Sequence, residues 1–182
     1  YVVEGTEITE GPDGTFIVGE LDESNSVAET GGRHYATLQA AIDAAESEGQ
    51  VVTLNRDTTE NVKVSAGKTL ILDLNGHNLT GKADSWALVV EGDLTIRDSS
   101  AGQTGKITGT DYIVDMNLSG GNTVTLESGT LEGTGWTAVI RVASGDSFYM
   151  SGGIVRQTQS NATYVVMVNA GGTANVTGGR IE

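Results

Sequence analysis

Leu126-Glu127-Ser128-Gly129-Thr130-Leu131, Met150-Ser151-Gly152-Gly153-Ile154-Val155 and Val176-Thr177-Gly178-Gly179-Arg180-Ile181 decide how this chain folds. Each segment has an apolar residue, a Gly-bearing bend, and a second apolar residue five positions on. Leu74-Asn75-Gly76-His77-Asn78-Leu79 is a looser, earlier copy. The closing residues Ile107, Leu131, Val155 and Ile181 are separated by 24, 24 and 26 residues. A fixed period of this length, filled with strand-like runs, reads as one solenoid turn per repeat. Each turn holds three short strands, with apolar side chains inward and Thr, Asn and charged residues outward. Each strand pairs with its counterparts ~4.8 Å above and below. Crossover chirality makes the expected coil right-handed.

The expected fold is therefore all-β: a right-handed, single-stranded parallel β-helix of about five coils between Val51 and Glu182. Leucine-rich repeats have a similar period, but their Leu-x-x-Leu-x-Leu pattern is missing. A β-sandwich is the alternative, since regularly spaced short strands also suit one.

Upstream of the repeats lies one helical pattern. Leu38, Ala41, Ile42 and Ala45 recur at i, i+3, i+4 and i+7, which is one helical face. Thr37 is the expected N-cap and Gly49 the expected stop. A helix this short needs a partner for its apolar stripe, and the open end of the solenoid core supplies one. Residues 1–34 read as a strand and linker segment. A hairpin joins Gly14–Gly19 to the run around Tyr1-Val2-Val3 through the turn Gly11-Pro12-Asp13-Gly14, and a polar linker follows from Glu20 to Gly32. Residues 35–182 read as the helix-capped β-helix, with further coils of a parent chain expected beyond Glu182.

Composition narrows the function. The formal net charge is −14, with only 10 Lys and Arg residues, whereas a phosphate-binding surface needs clustered cations. Nucleic acid and anionic membrane surfaces are thereby disfavoured. No apolar run approaches the roughly 18 residues that membrane insertion needs. The absence of Cys removes disulfides and thiolate metal sites. Acidic balance fits a soluble, self-repelling protein working outside the cell.

Tyr35-Ala36-Thr37-Leu38-Gln39-Ala40-Ala41-Ile42-Asp43-Ala44-Ala45 resembles the N-terminal helix of pectin-lyase-like β-helix proteins. Gly67-Lys68-Thr69-Leu70-Ile71-Leu72-Asp73-Leu74-Asn75-Gly76-His77-Asn78-Leu79 looks like their first coils, and Leu94-Thr95-Ile96-Arg97-Asp98-Ser99-Ser100 continues the likeness. The chain resembles in particular the β-helix modules of large adhesin-like surface proteins of Gram-positive bacteria, over roughly residues 28–182. The resemblance implies that active members carry catalytic groups on outward faces of the central coils. It also implies particular motifs: Asn-Thr-Asp, Asp-Asp and Arg-x-Lys in the hydrolases, and Arg-x-Pro-x-x-Arg in the lyases. None of these occurs here.

The site candidates follow. Trp86, Tyr112, Trp136 and Tyr164 each precede an apolar strand run, and each lies close to one coil beyond the last. They are read as one column, either an aromatic stack or a carbohydrate-binding strip on which pyranose faces pack. Asp73 and Asp98 are read as turn-capping carboxylates rather than an acid–base pair. His34 and His77 lack patterned co-ligands for a metal. A Ca²⁺ role remains open to the loop carboxylates Asp84, Asp93, Asp111 and Asp115, although neither a calcium-binding nonapeptide nor an EF-hand loop is present. No catalytic residue is assigned. The expected function is a non-catalytic module of a secreted or cell-wall-anchored bacterial surface protein, an adhesin or stalk whose partners are glycans or host or microbial surface proteins. The alternative is a lyase or hydrolase acting on acidic polysaccharide.

Overall fold

A computed structural model describes residues 6–10, 16–46, 48–83, 85–116 and 120–182. Its centre is a parallel β-solenoid of about five turns. The first coil runs through β5 (Gln50–Leu54), β6 (Thr58–Thr59) and β7 (Val62–Val64). The second uses β8 (Thr69–Asp73), β9 (Asn78–Thr80) and β10 (Leu88–Val90). The third uses β11 (Asp93–Arg97), β12 (Lys106–Gly109) and β13 (Val114–Asp115). The fourth uses β14 (Thr123–Leu126), β15 (Thr130–Gly133) and β16 (Ile140–Val142). The fifth uses β17 (Ser147–Met150), β18 (Ile154–Gln157) and β19 (Val166–Val168), and β20 (Thr173–Val176) and β21 (Arg180–Ile181) begin a sixth. Corresponding strands stack into an eight-stranded, a six-stranded and a five-stranded sheet. All pairing between coils is parallel, which rules out the sandwich.

Stacking in register turns the sequence period into continuous apolar rows. Leu79, Ile107, Leu131, Val155 and Ile181 form one rung-by-rung row in the six-stranded sheet. Val62, Leu88, Val114, Ile140 and Val166 form another in the five-stranded sheet. Members up to the fifth coil are almost all inaccessible to water, whereas Ile181 in the last is 46% exposed, as is Val176 of the eight-stranded sheet. The corners between the eight- and six-stranded sheets need left-handed backbone. Gly129, Gly153 and Gly179 supply it with φ of 85°, 74° and 82°. In the earlier copy Asn75 and Gly76 share the task.

The helix α1 (Leu38–Ala44) covers one end of this core. Leu38, Ala41 and Ile42 are fully buried, and Thr37 caps the N-terminus by accepting from the Ala40 N–H at 3.2 Å. The first coil and the turn after it hold both helix ends. Glu60 accepts from the N–H groups of Leu38 and Gln39, where a carboxylate suits the dipole. Lys68 donates to the carbonyls of Asp43 and Ala45. The helix stops at Ala44 with Ala45 extended, ahead of the expected stop at Gly49.

Two expectations for the N-terminal region change. β1 (Thr6–Glu10) pairs antiparallel with β2 (Phe16–Glu20), so Thr6–Glu10 is the hairpin partner of the Phe16 run; Tyr1-Val2-Val3 and residues 11–15 lie outside the described residues. The stretch read as a polar linker contains β3 (Ala28–Thr30), which pairs antiparallel with both β4 (Arg33–Tyr35) and β5 and so extends the eight-stranded sheet. Polar side chains make this possible. The Thr30 hydroxyl donates to the Val51 carbonyl at 2.8 Å, and Ser26 Oγ accepts from Asn55 at 2.7 Å.

Candidate functional site

The four aromatic residues all lie on the connections from the six-stranded to the five-stranded sheet, along one edge of the solenoid. None belongs to the buried core cluster. Backbone hydrogen bonds stack these connections, from the Ala87 N–H to Tyr112, from Ile113 to Val139 and from Val139 to Val165. The strands that follow are in register at Leu88, Val114, Ile140 and Val166, an even step of one coil each time. Trp86, Tyr112 and Tyr164 each stand two positions before these residues. Trp136 stands four before, and Ala138 takes the equivalent place in its coil. The single column therefore resolves into three aligned rings and one displaced ring.

The rings differ in environment. Trp86 and Tyr112 are half-buried beneath a shared cation. The Arg141 guanidinium lies 4.4 Å from the Tyr112 ring centre and 5.5 Å from that of Trp86. Arg141 also makes a bidentate pair with Asp115 in the adjacent coil, at 2.6 and 2.7 Å. Asp115 is fully buried. Its hydrogen bonds raise the Arg141 pKa above the ordinary arginine value, against a smaller opposing effect of burial. This cluster ties the second, third and fourth coils together. By contrast Trp136 is 64% and Tyr164 55% exposed. These two rings have faces available to a ligand.

The other described candidates are already partnered within the fold. Asp73 is buried and accepts from the N–H groups of Asn75 and Ser99, both at 3.0 Å, and from Arg97 at 2.9 Å. Asp98 accepts from Gly76, Ser100 and Gly105. Burial works to raise the Asp98 pKa, and the hydrogen bonds from Ser100, Gly105 and Gly76 outweigh it, so the carboxyl sits below its ordinary range. Both carboxylates hold corner turns and bridge neighbouring coils. His34 lies 3.8 Å from Glu29, and His77 lies 3.5 Å from Asp57 on a different coil. Of the carboxylates expected on loops, Asp93 and Asp115 instead lie in strands β11 and β13; Asp93 accepts from the Thr123 N–H and Asp111 from that of Tyr112. Asp115 is the partner of Arg141, and Asp84 lies outside the described residues. Among the described residues no three His, Asp or Glu side chains converge as metal ligands.

The sequence reading does not single out Arg141. The signal is nonetheless present, because Asp115 and Arg141 are one coil apart. Asp73 and Arg97, and Glu132 and Arg156, repeat the arrangement at one-coil spacing. Opposite charges at one-coil spacing on outward positions read as cross-strand ion pairs. Comparison with family models, curated proteins and solved structures finds no match to this chain.

Proposed function

We propose that this chain is a non-catalytic β-helix module of a secreted or wall-anchored bacterial surface protein, which binds glycans along its aromatic edge. One observation carries the reading. The edge presents Trp136 and Tyr164 largely to solvent, outside the apolar core that rings would otherwise join. An exposed flat ring is a platform for the apolar face of a pyranose, and exposed aromatic surface commonly marks a binding site. Rings on separate coils suit an extended ligand. A solenoid suits a stalk because its stability is local and its length unconstrained.

The more specific kinship, to pectin-lyase-like surface modules, is supported by the resemblance of residues 35–45 and 67–79, which here form the capping helix and the second coil. The non-catalytic reading is supported by what the buried carboxylates already do. Asp73 and Asp98 hold backbone N–H groups and Asp115 holds Arg141. The acidic balance accords with work outside the cell.

A glycan array probed with the wild type and with Trp136→Ala/Tyr164→Ala tests the proposal. The wild type binds at least one glycan class, and the variant loses tenfold or more in affinity with unchanged thermal unfolding. Equal binding by both proteins contradicts it. Release of unsaturated or reducing-end products from pectin, alginate or a glycosaminoglycan supports the enzymatic alternative instead.

A further inference from the structure

Around the corner from the aromatic edge, the outer face of the six-stranded sheet holds a polar trough of about 430 Å³. Thr59, Thr80 and Thr108 occupy successive rungs of its floor in register. Thr59 and Thr80 are exposed and Thr108 is half-buried, so the row is open to solvent. Asn78 also lines the trough. Its backbone N–H and side-chain amide both donate to Asp57, at 2.8 and 3.2 Å, while its Oδ1 is buried without a donor. A buried acceptor without a donor is uncommon in a folded protein. Thr134, on the trough wall, precedes the exposed Trp136 by two positions.

We infer that this trough is a saccharide subsite, and that it takes an uncharged linear glycan lying along the solenoid axis. The inference rests on the glycan reading above and adds a place and a ligand class to it. Each Thr hydroxyl can both donate and accept, as can each sugar hydroxyl. The Thr row repeats at the rung spacing of ~4.8 Å, close to the length of one sugar ring. Successive sugars therefore meet equivalent hydroxyls on successive coils. Lys106 and Glu132 bound the Thr row on the same face, and Trp136 offers a stacking face beyond the wall.

Charge selects against acidic polysaccharide. Lys106, the cation lining the trough, is paired with Glu132, which Arg156 of the next coil also engages. The Asp57 carboxylate, 65% exposed, faces solvent at the opposite end. The whole chain carries −14, so a polyanion approaches against its field.

The test is calorimetric titration of the intact chain with neutral hexasaccharides of β-1,4-glucan, mannan and chitin type, and with hexagalacturonate. Thr80→Val/Thr108→Val removes both hydroxyls but keeps β-branched shape and strand preference. At least one neutral hexasaccharide is expected to bind better than hexagalacturonate, and the double variant to bind it at least fivefold more weakly with unchanged unfolding. Equal neutral-glycan binding by wild type and double variant overturns the trough assignment and leaves the aromatic-edge reading standing. Preference for hexagalacturonate overturns the ligand class. Absence of binding to every probe overturns the trough assignment, and the glycan array then decides the aromatic-edge reading separately.

Discussion

Replacing Arg141 with Ala removes the cation that clamps the second, third and fourth coils. The guanidinium makes two hydrogen bonds, at 2.6 and 2.7 Å, to Asp115, which has no solvent exposure, and is itself only 17% exposed. Breaking a buried pair by removing one partner costs about 3–5 kcal/mol, because a charge stays buried without its counter-ion. Loss of the cation over Tyr112 and Trp86 adds about 0.5–2 kcal/mol. The net loss expected for Arg141→Ala is about 5 kcal/mol. The companion variant Asp115→Leu/Arg141→Met removes both charges and restores apolar contact, so it is expected to lose far less. Urea unfolding followed by far-UV circular dichroism measures both, with slopes compared to check that cooperativity is kept. A loss under about 1 kcal/mol for Arg141→Ala, or equal losses for both variants, would refute the view that an uncompensated buried charge sets the cost.

The remaining expectations cover the core, the corners and acid stability. Ile107→Ala, in the sealed middle of its row, is expected to cost about 2–5 kcal/mol. The same change at Ile181, 46% exposed, costs under about 1 kcal/mol by urea unfolding. Gly153→Ala puts a methyl 2.7 Å from the Gly129 carbonyl oxygen at a φ of 74°, and is expected to lose at least about 1–2 kcal/mol and lower the melting temperature. Asp98 and Glu132 have depressed pKa values: at both, burial opposes the shift and hydrogen bonds outweigh it, from Ser100 at Asp98 and Arg156 at Glu132. Their stabilisation is present above the unfolded carboxylate range of about 4 and is lost as pH falls through the lower folded values. The urea midpoint is therefore flat from neutral pH to about 5 and falls below about 4, with a shallower fall for Asp98→Asn. A pH-independent midpoint down to about 3 would contradict this.

The repeat makes the solenoid legible because stacking converts periodicity directly into contact. Ile107, Leu131, Val155 and Ile181 keep their spacing since each closes the same Gly corner. The helix is legible from one apolar face and one cap. β3 is not, because so short a strand offers no period, and its own Thr30 and the nearby Ser26 are buried through hydrogen bonds rather than apolar character. The aromatic column is half legible. Its strands advance evenly from coil to coil, and Trp136 breaks the rhythm because its connection sets the ring two positions early. Spacing alone does not reveal that Arg141 reaches back over two rings. The trough is illegible in the sequence, since polar outward positions carry no periodic apolar signal. What defines it is the register that brings Thr59, Thr80 and Thr108 onto successive rungs of one outer face.

The central claim is that the exposed ring Trp136 contacts glycan. The chain has two tryptophans, so Trp86→Phe leaves Trp136 as the sole indole while keeping a ring beneath Arg141. Acrylamide quenching of this variant, measured with and without a saturating neutral hexasaccharide identified by the titration, tests the contact. The bound saccharide is expected to shield Trp136 and lower its quenching constant at least twofold. Unchanged quenching while the saccharide is bound would contradict the claim.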